Sequence, residues 1–423
     1  MSNIIQKIKH IFQDSSLRKQ VLFVFAALAI FRLLSVVPIP GVNQAALSQF
    51  LNNNQFFGLL NMFSGGGLST LSIVMLGVGP YITASIIMQL FTMMSPKLKA
   101  MYQEEGAAGR MKFSQYSRLL TVPLAFAQAF GFIVLLQRQG VVLELGTFAL
   151  LTNVITIVAG SMLLMWIGEI MTEFGIGNGL SAIIFAGIVA SLPQFISQAY
   201  FAFQAEQIPV YIVLGALALF TIFAVVLITE AERPVPVTYA KQVRGGNTYG
   251  GASTYLPLRL NQAGVIPIIF ALSILLLPQM VLNMLSYLGN ATIASISIAV
   301  NSFMQNQWYY AGIYFLFVFF FTYFYTAVTF DPKSISENLQ KNGAFILGVR
   351  PGEPTAEYLG KVVTRITLVG ALYLGIIAVL PPVIHAITGL QFLTIGGTAL
   401  LIVVSVVLDV MKKVNAQLSM REY

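Results

Sequence analysis

Residues that make and break bonds are sparse in this chain and poorly spaced for the task. It has no cysteine, and its two histidines, His10 and His385, lack partners at metal-ligand spacing. No Ser-His-Asp set or nucleophile elbow can be assembled from it. The glycines of GIGNG, Gly175–Gly179, are not followed by Lys-Ser/Thr and so form no phosphate-binding loop. The expectation is a protein that is not an enzyme and needs no cofactor, with any work supplied by a partner. What stands out is polar side chains set in apolar runs: Arg32, Ser85, Gln89, Gln128 and Asn261. Such groups are expensive in a membrane. Their interhelical hydrogen bonds are worth about 0.6 kcal/mol on average and up to about 2. Arg32 is expected to snorkel or to pair with backbone carbonyls near the end of its helix.

The backbone itself supplies the second signal. Phe57–Gln89 reads FGLLNMFSGGGLSTLSIVMLGVGPYITASIIMQ, and its first apolar part, Phe57–Phe63, is far too short to cross a bilayer. Gly65, Gly66 and Gly67 then break it, and a second apolar run starts at Leu71. Unpaired N–H and C=O groups cost several kcal/mol each in hydrocarbon, so such a break is tolerable only inside protein or beside a water-filled cavity. The stretch therefore predicts a plug over about 57–71, carrying Phe57, Leu60, Met62, Phe63, Gly65, Gly66 and Gly67, followed by a spanning helix.

The elements that must position these residues are membrane helices. Hydrophobic residues make up 57% and charged residues 9%, against about 25% charged in soluble domains. Apolar runs predict ten spans, at about 20–38, 73–94, 119–137, 153–170, 180–196, 209–228, 263–287, 308–328, 366–387 and 392–411. The first run continues through Phe31 and Leu34 to Val37 with no small-residue cleavage site, unlike a signal peptide. Of the 23 basic residues, all but Arg32 and Arg138 fall in segments that share one side when the N-terminus is cytosolic, which places both termini there. The turn carrying Glu169 and Glu173 lies on that side without a cation.

Five spans precede the segment at about 229–262 and five follow it. An odd number per half predicts two inverted halves, 1–196 and 197–423, with the pathway at their seam. No residue-level repeat accompanies this, so ten helices without internal symmetry stands as the alternative. Segments 229–262 and 330–365 are rich in Pro, Gly and charge and too long for turns. Val235–Ala240 has strand composition and predicts a protruding hairpin with Thr248–Leu256. The cations here either dock an anionic partner or only hold topology and meet lipid headgroups.

Over nearly its whole length the chain resembles the SecY family of the bacterial Sec translocation channel. The matching stretches are PIPG at Pro38–Gly41, NMFSGG at Asn61–Gly66, PYITASIIMQL at Pro80–Leu90, GIGNG, AGVIPIIF at Ala263–Phe270, RPGEPT at Arg350–Thr355 and GGTALLIVV at Gly396–Val404. The resemblance implies an all-α polytopic membrane protein: ten transmembrane helices in two inverted five-helix halves around a central pore, closed by the plug. It implies a channel for unfolded secretory polypeptides in the bacterial cytoplasmic membrane, with a lateral gate between spans two/three and seven/eight that releases transmembrane segments into lipid.

The family's pore ring carries over onto Val78, Ile82, Ile184, Ile269 and Ile402, with valine at 78 where isoleucine is usual. Val78 and Ile82 also lie four apart, the spacing of one helix face. The lateral gate carries over to the spans holding Ser85, Gln89, Gln128 and Asn261, expected to latch the closed state; static packing is the alternative. Docking of the ribosome and of the SecA ATPase falls on Lys241, Arg244 and Arg350, with Gly246 and Asn247 where paired arginines often stand. The chain ends at Tyr423, earlier than many members. Implied partners are SecE-type and SecG-type subunits, SecA, the ribosome, signal peptides with their nascent chains, and membrane lipids. A secondary transporter is the competing class, but it would normally place acids near the bilayer midplane. Here acids lie at loops and span ends, Glu169 and Asp409 among them. An intramembrane enzyme lacks a catalytic set.

Overall fold

The computed structural model describes residues 14–53, 61, 64–143, 146–201, 208–239, 242–244, 247–249, 253–286, 291–388 and 396–419. Each of the ten expected spans holds a helix. In chain order these are α1 (Ser15–Leu34), α3 (Gly79–Met94), α5 (Gly106–Arg138), α6 (Thr147–Phe174), α7 (Gly179–Phe201), α8 (Ile208–Glu230), α9 (Ile266–Ser286), α11 (Gln307–Thr329), α13 (Glu353–Thr388) and α14 (Gly396–Ser419). Short helices α2 (Gln44–Asn53), α4 (Pro96–Gln103), α10 (Ala291–Gln305) and α12 (Pro332–Lys341) lie between them. Helix α10 is an addition to the sequence reading, which placed no element between spans seven and eight.

Among the described residues, α5, α6, α8, α11 and α13 hold stretches long and apolar enough to cross a membrane. The shortest of the ten is α3, with 16 residues, and proline lies inside several, at Pro123 of α5, Pro193 of α7 and Pro278 of α9. Apolar side chains on all sides make α8 a poor partner for water, and Leu219, Phe220 and Phe223 on it are exposed. Such a helix belongs in lipid or under another subunit.

Span two departs from expectation. A helix over 73–94 was the sequence-based reading, but residues 64–78 form successive turns and α3 starts at Gly79. Gly65, Gly66 and Gly77 take φ of 68°, 82° and 59°, and even Leu71 sits at φ 45°. Such angles break a right-handed helix, and Pro80 disfavours helical geometry just before itself. Val78 is thus the N-cap of α3 and not a helical residue, although its carbonyl accepts from Ile82 N at 3.1 Å.

At one end of the bundle, hereafter the platform end, the two long segments merge. Strand β1 (Glu232–Tyr239) pairs antiparallel with β4 (Ser253–Arg259), in register from Glu232 opposite Arg259 to Thr238 opposite Ser253. Strands β2 (Gln242–Arg244) and β3 (Asn247–Tyr249) form a separate small ladder at the tip. The expected hairpin is therefore present, with Thr248 in the tip and not in the main ladder. Its far side pairs with β5 (Ala344–Ile346) from the second segment, giving the order β4-β1-β5. Val235, Val237, Leu258, Ala344 and Ile346 bury one face against Leu359 and Val363 of α13. This small sheet, outside the helical bundle, is what an all-α description omits.

Helix α6 runs beneath the 64–78 turns, where Gly160 lies so close to the Ile73 carbonyl that a Cβ would collide with it. Nothing lies within 4 Å of an added Cβ at Gly312 of α11. Gly160→Ala is expected to cost about 1–3 kcal/mol through overpacking. Gly312→Ala should match or exceed the parent by a few tenths to about 1 kcal/mol. Thermal unfolding of the two purified variants in detergent measures the contrast.

Candidate functional site: a waist, a plug stem and a seam

Four helices deliver the candidate ring. Ile82 lies in the first turn of α3, Ile184 near the start of α7, Ile269 near the start of α9 and Ile402 near the start of α14, while Val78 caps α3. All five belong to a single apolar cluster: Val78, Ile184 and Ile402 are buried, with Ile82 and Ile269 packed against them. Val74, Ile183, Ile188, Ala399 and Phe31 complete its surroundings. Residues separated by more than 300 positions thus share one apolar cluster.

The turns of residues 64–78 form a stem beside this waist. Two backbone bonds tie the stem to the segment after α1, Ile39 N to Leu71 O at 2.9 Å and Ile73 N to Val37 O at 3.0 Å. Thr70 Oγ1 donates to Ser35 O at 2.8 Å. Asn61 clamps the loop from inside: Ser69 N donates to its Oδ1 at 2.7 Å and Gly66 N to its carbonyl at 2.8 Å. Leu68, Leu71 and Met75 pack into a second apolar cluster with Leu47, Phe132, Leu136 and Ile157. Fully buried Leu71 holds its left-handed backbone in this cluster, a strain of order 1–3 kcal/mol that tight packing must sustain. Gly65, Gly66 and Gly67 lie in this stem; Phe57, Leu60, Met62 and Phe63 lie outside the described residues. Arg32 is where the sequence reading put it, with Nη1 donating to the Gly65 carbonyl at 2.6 Å.

The seam lies where α9 packs across α3 and α5. Of its expected polar residues, Ser85, Gln89 and Gln128 are half-buried, and Asn261 is buried in the turn ahead of α9. Among the described residues no hydrogen bond joins them to one another, and Gln89 Oε1 and Asn261 Oδ1 are buried there without a partner. A polar tie exists elsewhere. Gln103 Nε2, at the end of α4, donates to Val328 O near the end of α11 at 3.2 Å. Sequence reasoning missed Gln103 because nothing distinguishes one loop glutamine from another before α4 and α11 are brought together.

Two further ties were hidden for the same reason. Arg118 Nε meets Glu169 Oε1 at 2.6 Å, so α5 supplies the cation missing from the turn between spans four and five. Lys412 Nζ reaches Glu230 Oε1 at 2.8 Å, joining the end of α14 to the end of α8. Of the docking candidates, Arg350 is exposed, and its carbonyl accepts from Thr355 Oγ1 at 2.8 Å in a loop also fixed by Ser336 Oγ to Gly352 O at 2.6 Å. Arg244 is placed only as part of β2, and Lys241 lies outside the described residues.

Long apolar helices packed about a central aliphatic cluster, with a glycine-broken stem beside it, define the class: a polytopic membrane protein. The SecY family model matches residues 72–411. The protein translocase subunit SecY of Corynebacterium glutamicum is 40% identical, over 100% of this chain and 99% of its own length. That of Escherichia coli K12 is 43% identical, over 96% and 93%. The chain belongs to the SecY family. Its fold matches that of a solved SecY protein whose plug domain is described as stabilising the closed translocation channel and maintaining a membrane seal (TM-score 0.64, 19% identity, 93% and 91% covered). It also matches Sec61 in the canine ribosome-channel complex (TM-score 0.60, 18% identity, 93% and 91% covered).

Removing one neutral hydrogen bond costs about 0.5–1.5 kcal/mol, whereas removing a buried acceptor that has no partner relieves a penalty of about 1–3. Gln103→Ala is therefore expected to loosen the seam, and Gln89→Leu to tighten it. In a reconstituted translocation assay with weakened signal sequences, Gln103→Ala should raise the yield about 2- to 10-fold and Gln89→Leu should lower it.

Proposed function

We propose that the chain forms the conducting pore through which unfolded secretory polypeptides cross the bacterial cytoplasmic membrane, and from which transmembrane segments leave sideways into lipid. The observation that carries this is the meeting of Val78, Ile82, Ile184, Ile269 and Ile402 in one apolar cluster. A collar of aliphatics excludes water and offers ions no fixed site, and it deforms around an extended chain without holding any side chain strongly. Val78 leaves one methylene less in the collar than isoleucine.

The platform end faces the cytosol, with both termini, and segments 1–196 and 197–423 act as two halves. The stem of residues 64–78 carries the plug over the collar. The seam between α3/α5 and α9/α11 is the lateral gate, entered by signal peptides; Ser85, Gln89, Gln128 and Asn261 line it. With two unpartnered acceptors at or beside the closed seam, these residues ease opening more than they latch it. The ribosome and the SecA motor dock on the platform through Arg350, with Lys241 and Arg244 on the tip. Support for the ribosome comes from the shared fold with the ribosome-bound Sec61 channel. A SecE-type subunit spans the halves from outside, where the apolar flank of α8 is exposed, and a SecG-type subunit accompanies it.

Planar-bilayer recordings of the resting channel test the collar. Ile184→Ser is expected to raise ion leak and Val78→Ile to lower it; an unchanged leak in both would remove the collar from the mechanism. Reversing the charge in Arg350→Glu should cut motor-driven translocation about tenfold or more, as losing about 1.4 kcal/mol of docking energy would. Resting conductance should stay at the parental level in that variant.

A further inference from the structure

The pore reading leaves Arg32 without a task. It is the one cation set within a span, and a charge is not kept there without a partner. Its partner is the backbone of the stem: Nη1 donates to Gly65 O at 2.6 Å. Gly65 is buried and left-handed at φ 68°, with the Phe31 ring against the place a Cβ would occupy and Gly187 Cα 3.4 Å from it. Gly66 also turns toward the guanidinium, with Arg32 Nη1 3.5 Å from the position of its absent Cβ. The next turn of α1 repeats the attachment, as Ser35 Oγ donates to Arg32 O at 2.7 Å and Ser35 O accepts from Thr70 Oγ1. Among the described residues, the stem's hydrogen bonds to other segments run to α1, to the segment after it, to Asn61 and to the first turn of α3.

We propose that Arg32 is the positioning residue of the plug, a charged clasp that caps the Gly65 carbonyl and keeps the stem attached to the first half of the channel. The inference rests on the plug reading given above. A guanidinium is suited to this because it is always charged and presents several donors in a planar fork. Parting of the seam moves α9 and α11 away from α3 and α5 but leaves the clasp untouched, so the stem travels with α1. Release then requires a competing acceptor. An extended polypeptide in the pore offers a carbonyl at every residue, the same acceptor chemistry as Gly65, so the exchange is independent of the sequence in transit.

The test uses the full channel complex in planar bilayers and in a translocation assay, with Arg32→Leu, the conservative Arg32→Lys, and a Ser35→Cys/Thr70→Cys pair joined by a short bifunctional maleimide. The parent chain has no cysteine, so only the introduced pair reacts. Arg32→Leu is expected to raise resting conductance about tenfold to a hundredfold, the worth of one charge-assisted hydrogen bond. Arg32→Lys should recover most of the seal, and cross-linking the pair in the Arg32→Leu background should restore it. Parental conductance in Arg32→Leu, or a leak that the cross-link fails to close, overturns the clasp. A cross-link that leaves translocation untouched in the otherwise unaltered channel overturns the plug reading instead. Should Arg32→Leu fail to assemble, Arg32→Gln with the same cross-link decides between these outcomes.

Discussion

A peptide group without a partner is intolerable in hydrocarbon, and this constraint sets the arrangement of the whole molecule. Irregular backbone is therefore kept where protein covers it. The stem of residues 64–78, with positive φ at Gly65, Gly66, Leu71 and Gly77, and the first turns of α3, α7, α9 and α14 meet in the central apolar cluster, to which α1 and α6 also contribute. Where the stem has no helical partners it borrows them, from the backbone after α1, from Asn61 and from Arg32.

The same constraint governs what could be read from the residues. Ten helices, the glycine break and the need of Arg32 for a backbone carbonyl follow from composition and from the cost of polar groups in hydrocarbon, and all three are present. The start of α3 was misplaced by six residues because the apolar run of Leu71–Val78 looks like helix, whereas positive φ at Gly77 and Leu71 is a backbone property that hydropathy does not report. The joining of β5 to β1, Arg118 to Glu169 and Gln103 to Val328 all link positions more than 50 apart. No local pattern marks such pairs. The ring lay between these extremes: each aliphatic by itself is ordinary core, and only the family's motifs singled out the five.

Ser85, Gln89, Gln128 and Asn261 show how a polar group can be read from the sequence while its partner cannot. Polar groups in a span attract attention because they usually find partners, and a latch is the natural inference. Among the described residues the buried acceptors on Gln89 and Asn261 have no partner, which is why we propose that they ease opening. An unmet acceptor raises the energy of the closed arrangement and is relieved when the helices part and water or a signal peptide enters. Position in the sequence shows which groups are polar; only packing shows which are satisfied.

That distinction bears on how a seam can be both tight and easily opened. Two apolar helix faces in a bilayer gain nothing from the hydrophobic effect by meeting, since lipid tails are as apolar as leucine, and they are held by van der Waals fit and the few polar ties between them. At the platform end, among the described residues, the tie is a neutral bond from Gln103 to Val328. The stem, in contrast, is held by a charged donor, two backbone bonds and a threonine hydroxyl. In the function we propose, strength of attachment sets the order of events, so the seam yields first and the stem afterwards. A hydrophobic signal segment would then enter laterally while collar and stem still close the pore. On that reading only a segment able to replace lipid at the seam reaches the second barrier, and selection by hydrophobicity precedes any breach of the membrane.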